Sequence, residues 1–195
     1  MHRYFIIYKP YKMLSQFARF RKKRVLADLD FSFPEGTNAL GRLDDNSEGL
    51  LILTNNKQLN RALLRPENKH KRIYWVQVHG TVNEQTLQQL QSGVTIILEG
   101  RHYTTQTCEV KIMDTPKNLA QRAHPVRDDI PTTWIELILT EGKFHQVRKM
   151  TAMLGHQTMR LIRVAIEDVA LNGMKPGEVL ELSEEGILRK LNIKL

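Results

Sequence analysis

The sequence has little of what marks a secreted, membrane-bound or cysteine-based protein. Its single cysteine, Cys108, excludes an internal disulfide and a metal site built from several thiolates. No apolar run approaches the roughly 18 to 20 residues that a membrane-spanning helix requires. Residues 1–8 also lack the longer apolar core and the small-residue cleavage site of a signal peptide. These absences predict a cytoplasmic protein with no membrane partner.

Several common kinds of catalytic site are also missing. The seven histidines show no spacing typical of a metal site, such as His-x-x-x-His with a carboxylate nearby. No glycine-rich phosphate loop, Cys-His pair or Ser-His-Asp arrangement is legible. We therefore expect no metal ion, and any chemistry must be carried by other side chains.

Acidic residues are outnumbered by basic ones. The 195 residues carry a net charge of +8, and the pI is about 9.7, which favours a polyanionic partner and nucleic acid before membrane. A run of basic residues near the N-terminus is usually a solvated face, but here Phe17 and Phe20 interleave with it. That combination favours a loop that grips RNA. The run consists of Arg19, Arg21, Lys22, Lys23 and Arg24.

Hydrophobic periodicity predicts strands alternating with short helices. Strands are predicted at 2–8, 73–78, 94–98, 103–112 and 134–139, and helices at about 56–64, 83–92 and 143–154. Residues 2–8 are apolar on both faces, which predicts a central strand. In the first helix, Leu59, Leu63 and Leu64 are predicted to point inward. Residues 114–131 have no periodicity, so both RNA contact and a disordered excursion remain open for them. Residues 167–195 are predicted to form a closing strand and helix.

Residues 41–56 carry the clearest candidate for chemistry. Two apolar runs flank a polar segment of turn formers, which predicts two strands joined by a tight connection. Asp44 would lie where the first strand ends, on a rigid support yet open to solvent, as catalytic side chains often are. An aspartate at the head of a turn more often caps backbone amides. From spacing alone, capping is the stronger interpretation.

Residues 41–51, Gly41-Arg42-Leu43-Asp44-x-x-Ser47-x-Gly49-Leu50-Leu51, resemble the catalytic motif of pseudouridine synthases that modify ribosomal RNA. In this family the motif's aspartate is the essential nucleophile, and the resemblance places that role on Asp44. Many members carry Thr where this chain has Ser47, so the hydroxyl group is kept. The basic residue of the motif, Arg42, is expected to bind substrate.

Four further segments are similar to motifs of the same family. Glu141-Gly142-Lys143-x-His145-Gln146-Val147-Arg148 resembles the arginine motif, which implies that Arg148 pairs with Asp44. Arg72 and Tyr74 match a basic residue and a tyrosine at the head of a strand, and the tyrosine of the family packs against the target base. Without the resemblance, Tyr74 would be interpreted as an ordinary sheet aromatic.

The remaining matches concern the base pocket and an early strand end. Arg160-Leu161-Ile162-Arg163 is similar to the last motif, in which the leucine lines the base pocket, so Leu161 takes that role while also fitting a plain core position. Lys9-Pro10 suits a Lys-Pro pair early in the catalytic domain, although a strand terminator explains the proline equally well. We include Lys9 among the expected substrate-binding residues.

The chain is thus identified as a member of the small-subunit-A-like family of ribosomal RNA pseudouridine synthases. The resemblance implies an α+β fold, with a mixed, mainly antiparallel sheet and flanking helices. A single catalytic domain would span residues 1–195, with two lobes and a central cleft. Small-subunit-type members carry an S4-like RNA-binding module before the catalytic region. Here the first strand begins at once, so we expect that module to be missing, as in some large-subunit enzymes.

The reaction implied is the isomerisation of a specific uridine in large-subunit (23S) ribosomal RNA to pseudouridine. Nothing is added or lost, so no cofactor is expected. The partner would be ribosomal RNA, isolated or in an assembling subunit, and we expect a monomer. Two other classes stay open: a non-catalytic ribosome-binding protein, and a nucleoside or glycoside hydrolase, which normally needs a second carboxylate.

Overall fold

A computed structural model describes residues 2–117, 119–122, 124–127 and 129–195, with Pro66 described for its backbone only. The strands are β1 (Tyr4–Lys9), β2 (Met13–Leu14), β3 (Arg24–Val25), β4 (Asn38–Leu40), β5 (Glu48–Thr54), β6 (Arg72–His79), β7 (Thr95–Leu98), β8 (Arg101–Thr104), β9 (Glu109–Met113), β10 (Thr132–Leu139), β11 (Thr158–Ile166), β12 (Val169–Ala170) and β13 (Val179–Leu182). The helices are α1 (Lys57–Leu64), α2 (Glu84–Ser92), α3 (Gln146–Met153) and α4 (Glu184–Lys190), with 3-10 turns at Leu26–Asp28 and Pro66–Asn68.

These elements form two compact units. Unit 1 comprises residues 1–70 and 162–195, and unit 2 comprises residues 71–161. Most of the described strand pairs are antiparallel, β5 pairs in parallel with β11, and the helices are short. The α+β fold with a mixed, mainly antiparallel sheet is therefore confirmed.

Strand β1 lies in the interior of the unit 1 sheet, as its sequence predicts. It runs antiparallel to β13 on one side and to β5 on the other. All six of its residues are buried. The other edge of β5 is shared: β4 pairs antiparallel with Ile52–Thr54, and the start of β5 lies parallel to β11 at Glu48 and Gly49. The segment that joins β4 to β5 therefore runs from a strand paired with the end of β5 to the start of β5, which is paired with β11.

A buried hydrophobic cluster in unit 1 includes part of the predicted RNA-binding segment. Phe5, Met13 and Leu26 belong to one buried cluster, and Phe17 packs against it. The Phe17 and Phe33 rings meet edge to face with centroids 5.3 Å apart. Phe17 therefore serves packing, while Phe20 is 49% exposed.

Helix α1 begins where the sequence predicts. The side chain of Asn56 accepts hydrogen bonds from the amides of Gln58 (2.9 Å) and Leu59 (3.4 Å), which caps the first turn. Leu59 and Leu63, one turn apart, are buried. Leu64 is 47% exposed, so its predicted inward position is wrong, because it lies one residue past the buried stripe at the helix end.

Unit 2 is built on the antiparallel strands β6, β10 and β9, in that order. Residues alternate along β6, with Tyr74, Val76 and Val78 buried. Helix α2 is capped by Asn83 and stops at Gly93. Gly93 has φ +97°, and a Cβ there would lie 2.4 Å from the Thr105 carbonyl oxygen. Only glycine can therefore adopt this backbone conformation at the end of α2.

Two predicted elements of unit 2 differ from the structure. The predicted strand 103–112 is broken into β8 and β9, because Thr105 and Cys108 bond back to Val94 and Gln91 instead of continuing the ladder. Helix α3 begins at Gln146 and not near residue 143. The cause is His145, whose left-handed backbone (φ +54°) breaks the helical path.

The predicted irregular connection is confirmed in outline. No helix or strand occurs in the described residues of 114–131, which exclude 118, 123 and 128. In the closing segment, β13 and α4 match the predicted strand and helix. Across the residues that the structure describes, no helix has the length and apolar character needed to cross a membrane.

Candidate active site

Asp44 lies in the connection between β4 and β5, at the first position of a tight turn. Its carbonyl oxygen accepts a hydrogen bond from the amide of Ser47 at 3.1 Å. Glu48, which follows Ser47, is the first residue of β5. The residue is half-buried. The predicted tight connection is confirmed, although Leu43 lies outside β4.

The segment after β1 supports this turn from one side. The hydroxyl of Ser15 donates to the Leu43 carbonyl (2.7 Å) and accepts from the Leu43 amide (3.1 Å). The Lys12 amide donates to the Asp45 carbonyl at 2.6 Å. Both residues that flank Asp44 are thus held through their backbones. Nothing in the sequence pattern pointed to Ser15.

Arg163 of β11 supports the turn from the other side. Its side chain is 2% exposed. Nε donates to the Leu50 carbonyl (2.9 Å) and Nη2 donates to the Gly41 carbonyl (2.7 Å). Arg163 therefore ties together the two ends of the connection that carries Asp44. The sequence placed this arginine beside the predicted pocket leucine but gave it no role.

Gly49 allows this close approach of β5 and β11. Its φ is +104°, and a Cβ would lie 2.3 Å from the Arg163 carbonyl oxygen and 2.9 Å from the Arg163 amide nitrogen. Both contacts are far inside van der Waals distance and both involve backbone atoms. The glycine of the motif is thus required by packing next to the Asp44 turn.

Lys9 is fully buried near the same turn. Its Nζ donates to the carbonyls of Pro10 (3.0 Å) and Met13 (2.7 Å). Burial lowers the pKa of Lys9 to about 7, although Asp45, Glu48 and Asp44 oppose this shift. With no exposed surface, Lys9 faces the protein's own carbonyls. The geometry does not support its predicted contact with RNA, and it favours a role in holding residues 10–13.

A second cation contacts the turn from the basic run. Nζ of Lys23 lies 2.6 Å from a carboxylate oxygen of Asp45. This hydrogen bond holds the pKa of Asp45 below its usual range. Arg19 similarly lies 2.5 Å from Asp28. Two of the five cations predicted to grip RNA are therefore engaged in ion pairs within the protein. All five are exposed.

Arg42 lies on the surface of unit 1. It is exposed, and Nη2 approaches the Gln16 side chain at 3.4 Å. This long, weak contact leaves the guanidinium accessible to solvent. Unit 1 thus brings Lys23 of the basic run against the turn that carries Asp44, while the buried Arg163 holds both ends of the connection.

Unit 2 carries the other predicted site residues. Arg148 lies in α3, is half-buried, and donates from Nη1 to the Thr158 carbonyl at 3.4 Å. The first turn of α3 is fixed by the side chain of Gln146, which accepts from the Lys143 amide (2.9 Å) and donates to Glu141 (2.8 Å). The predicted pairing of Arg148 with Asp44 links residues of different units and stays a prediction.

Tyr74, Arg72 and Leu161 lie on strands of unit 2. Tyr74 is 8% exposed and Leu161 is 5% exposed. Arg72 is half-buried, and Nη1 reaches the Thr140 carbonyl at 3.5 Å. The neighbour of Tyr74, Trp75, donates from Nε1 to Glu136 at 3.2 Å. Tyr74 lies on the buried face of β6, and Trp75 lies half-buried on the opposite face.

Comparison with known proteins assigns the family. A sequence model described as RNA pseudouridylate synthase matches residues 3–153. The chain is 41% identical to ribosomal large subunit pseudouridine synthase E of Xanthomonas axonopodis pv. citri, over 88% of this chain and 89% of the relative. It is 40% identical to the protein of the same name from Vibrio parahaemolyticus, over 91% of this chain and 72% of the relative.

A solved structure agrees. A crystal structure of a pseudouridylate synthase superposes with a TM-score of 0.78 at 25% sequence identity, covering 98% of this chain and 74% of that one. The human RNA pseudouridylate synthase domain containing 1 shares the fold, with a TM-score of 0.59 and 17% identity over 97% of this chain and 82% of its own. On the extent of the sequence matches, the chain belongs to the RNA pseudouridylate synthase family.

Proposed function

We propose that this enzyme converts a specific uridine of large-subunit (23S) ribosomal RNA to pseudouridine, with Asp44 as the nucleophile and without a cofactor. The observation that carries the proposal is the fixed position of Asp44 within residues 41–51. Its flanking backbone is held by Ser15 on one side and by Arg163 on the other. The names of the relatives at about 40% identity support the large-subunit substrate.

The reaction exchanges one bond of the sugar for another and moves one proton. The N1–C1′ bond of uridine breaks, the uracil turns and C5 bonds to C1′. The C5 hydrogen then leaves as a proton, and the freed N1 takes up a proton from water. Asp44 would attack either the sugar or the base ring. A carboxylate on an anchored turn needs little reorganisation to do so, because its backbone is already held in place. No oxidant, metal or added group enters this balance.

The other site residues would handle the base and the charge. Arg148 would pair with Asp44, keeping it ionised and oriented through a charge-assisted hydrogen bond. Tyr74 would pack on the target base and Leu161 would line its pocket. The nucleotide must leave its stack to reach the carboxylate, which unpaired RNA allows most readily.

The RNA would be held by the protein's own cations. Arg42 and Arg72 would contact the RNA close to the reacting uridine, and the basic run would contact its phosphates. We propose a monomeric cytoplasmic protein whose 195 residues act as one catalytic domain. Isolated ribosomal RNA and an assembling subunit both fit as the bound form.

The test is the Asp44→Asn variant, assayed by tritium release from ribosomal RNA labelled at C5 of uridine. We expect release to be abolished while RNA binding persists, because the amide is neutral and nearly the same size. The matched control is Asp45→Asn, which removes the adjacent carboxylate that Lys23 contacts. This control should retain release. Wild-type release in Asp44→Asn would refute the assignment.

Two further measurements separate the alternatives. A hydrolase would liberate free uracil from the same labelled RNA, whereas an isomerase would not. A non-catalytic ribosome-binding protein would keep its function when Asp44 is replaced. Mapping pseudouridines in large-subunit ribosomal RNA from a strain lacking the protein would identify the target, as a site modified only when the protein is present.

A further inference from the structure

Phe144 is an exposed aromatic residue that the proposed mechanism does not use. It lies between β10 and α3, and 69% of its surface is accessible to solvent. This is the largest exposed fraction among the large hydrophobic residues that the structure describes. Single exposed hydrophobic residues are common and need no explanation alone. The residues around Phe144 indicate a specific role for it.

The Phe144 ring is held in place by its neighbour. It stacks on the His145 ring, with centroids 3.9 Å apart and planes inclined by 19°. His145 has a left-handed backbone, with φ +54°. Such a conformation is uncommon outside glycine and costs free energy, so a surrounding structure must hold it. Gln146 does so by closing the 143–146 turn through the Lys143 amide.

One ammonium group lies against this aromatic pair, and a second belongs to the residue that precedes it. Nζ of Lys149 lies 5.3 Å from the Phe144 ring centroid and donates to the Ile97 carbonyl at 2.7 Å. Nζ of Lys143 lies 5.0 Å from the Tyr103 ring centroid. No acidic residue occurs from 142 to 166 in the sequence, and the preceding Glu141 accepts hydrogen bonds from Gln146 and from the Tyr103 hydroxyl. An aromatic face flanked by ammonium groups is the combination that proteins use to bind unpaired nucleic acid.

We infer that Phe144, supported by His145, is a stacking platform for an unpaired base of the substrate RNA, and that Lys143 and Lys149 contact the adjoining phosphates. Stacking of this kind tolerates any base, because every base offers a π-face. The platform would therefore add affinity without selecting the target uridine. The inference rests on the proposed function in one respect, since it takes the substrate RNA as the ligand.

A protein partner is the competing occupant, and the structure offers a control for it. Ile97 and Met153 are also exposed, at 54% and 58%. A protein docking surface would gain from their aliphatic side chains as much as from a ring. A base stacks on a ring and gains little from an isolated aliphatic side chain. The lysines next to Phe144 favour the polyanion.

The experiment measures fluorescence anisotropy of a labelled short oligouridine and of a large-subunit ribosomal RNA transcript. Three variants are compared with wild type: Phe144→Leu, Phe144→Tyr and Met153→Ala. Phe144→Leu keeps an apolar side chain but removes the ring, and should weaken binding roughly 5- to 140-fold. Phe144→Tyr keeps the ring and should bind like wild type. Met153→Ala should also bind like wild type.

Salt dependence distinguishes stacking from charge. The slope of log affinity against log salt should be unchanged in Phe144→Leu, because no charge is removed. It should flatten by about 0.7 in Lys149→Gln, the value for one phosphate contact to a single strand. Thermal melts of each variant verify folding, and a folded Phe144→Leu that binds both RNAs like wild type would overturn the inference. Equal losses in Phe144→Leu and Met153→Ala would overturn it in favour of a general apolar surface.

These readouts are independent of the isomerase assignment. They measure equilibrium binding, which does not involve the Asp44 carboxylate as a nucleophile. If Phe144→Leu binds RNA like wild type while Asp44→Asn loses tritium release, only the stacking platform is refuted. Normal tritium release by Asp44→Asn, with the Phe144 results as expected, would remove only the proposed chemistry.

Discussion

The buried Lys9 gives stability a pH dependence that a single substitution should remove. In the folded protein its pKa is lowered from 10.5 to about 7, chiefly because burial removes the hydration of the ammonium. In the unfolded chain it titrates at its usual value. Between these two values the unfolded chain binds more protons than the folded one. The free energy of unfolding should therefore rise with pH across this window.

The size of the effect follows from the two pKa values. They differ by about 3.5, which corresponds to about 5 kcal/mol as an upper figure. The neutral amine keeps two N–H donors, enough for the carbonyls of Pro10 and Met13. Deprotonation thus removes the cost of a buried charge without removing either hydrogen bond. The nearby carboxylates lose a compensating cation, and this loss is already included in the pKa.

The assay compares wild type with Lys9→Met by urea unfolding at several pH values, followed by circular dichroism. Methionine is close to lysine in length and cannot titrate. Between about pH 7 and about pH 10, wild type should gain about 3 to 4 kcal/mol of stability relative to the variant. Other titrating groups are common to both proteins and cancel in the difference. If the two stabilities change in parallel with pH, Lys9 is not a buried titrating group and the reasoning fails.

Gly49→Ala should destabilise unit 1 by several kcal/mol and lower the melting temperature, since the added Cβ would lie 2.3 Å from a backbone oxygen. Gly100→Ala is the milder control, because the space around its Cβ position is open. Equal losses of stability in the two variants would contradict the prediction. Arg148→Ala should abolish tritium release, and Arg148→Lys should recover part of it if charge matters at Asp44. Tyr74→Leu should reduce turnover. Because Tyr74 is buried, the melting temperature should also fall, but by less than in Arg148→Ala, and normal turnover would exclude Tyr74 from the base pocket. Replacing the three cations of the basic run that no described ion pair engages should flatten the salt dependence of RNA binding by up to about 2 to 3 units, more than replacing the two engaged ones. Those three are Arg21, Lys22 and Arg24.

Several features of the fold were predictable because they depend on neighbouring residues. The apolar sequence of residues 2–8 predicted a strand buried on both faces, and β1 has neighbours on both sides. Asn56 and Gly93 marked a helix start and a helix stop, because capping and left-handed backbone are local properties. The turn that begins at Asp44 was also predictable from turn formers between apolar runs, although the first strand ends at Leu40 and not at Asp44.

The family motifs added what local patterns could not. Residues 41–51 and 141–150 directed attention to Asp44 and Arg148, whereas spacing alone favoured a capping aspartate. The assignment of the chain to RNA pseudouridylate synthases agrees with that resemblance. The roles of the individual residues still await the variants described above.

The sequence by itself determined most of the long strands and helices, though not β11, together with the strong positive charge and the turn that carries Asp44. Only the tertiary structure decided how that turn is held. Arg163 donates to carbonyls 113 and 122 positions away in sequence, and no pattern of neighbouring residues encodes such a bond. The same holds for Lys9, whose charge suggested RNA contact. Its burial follows from strands that pair only when the chain has folded, and that burial sets its pKa.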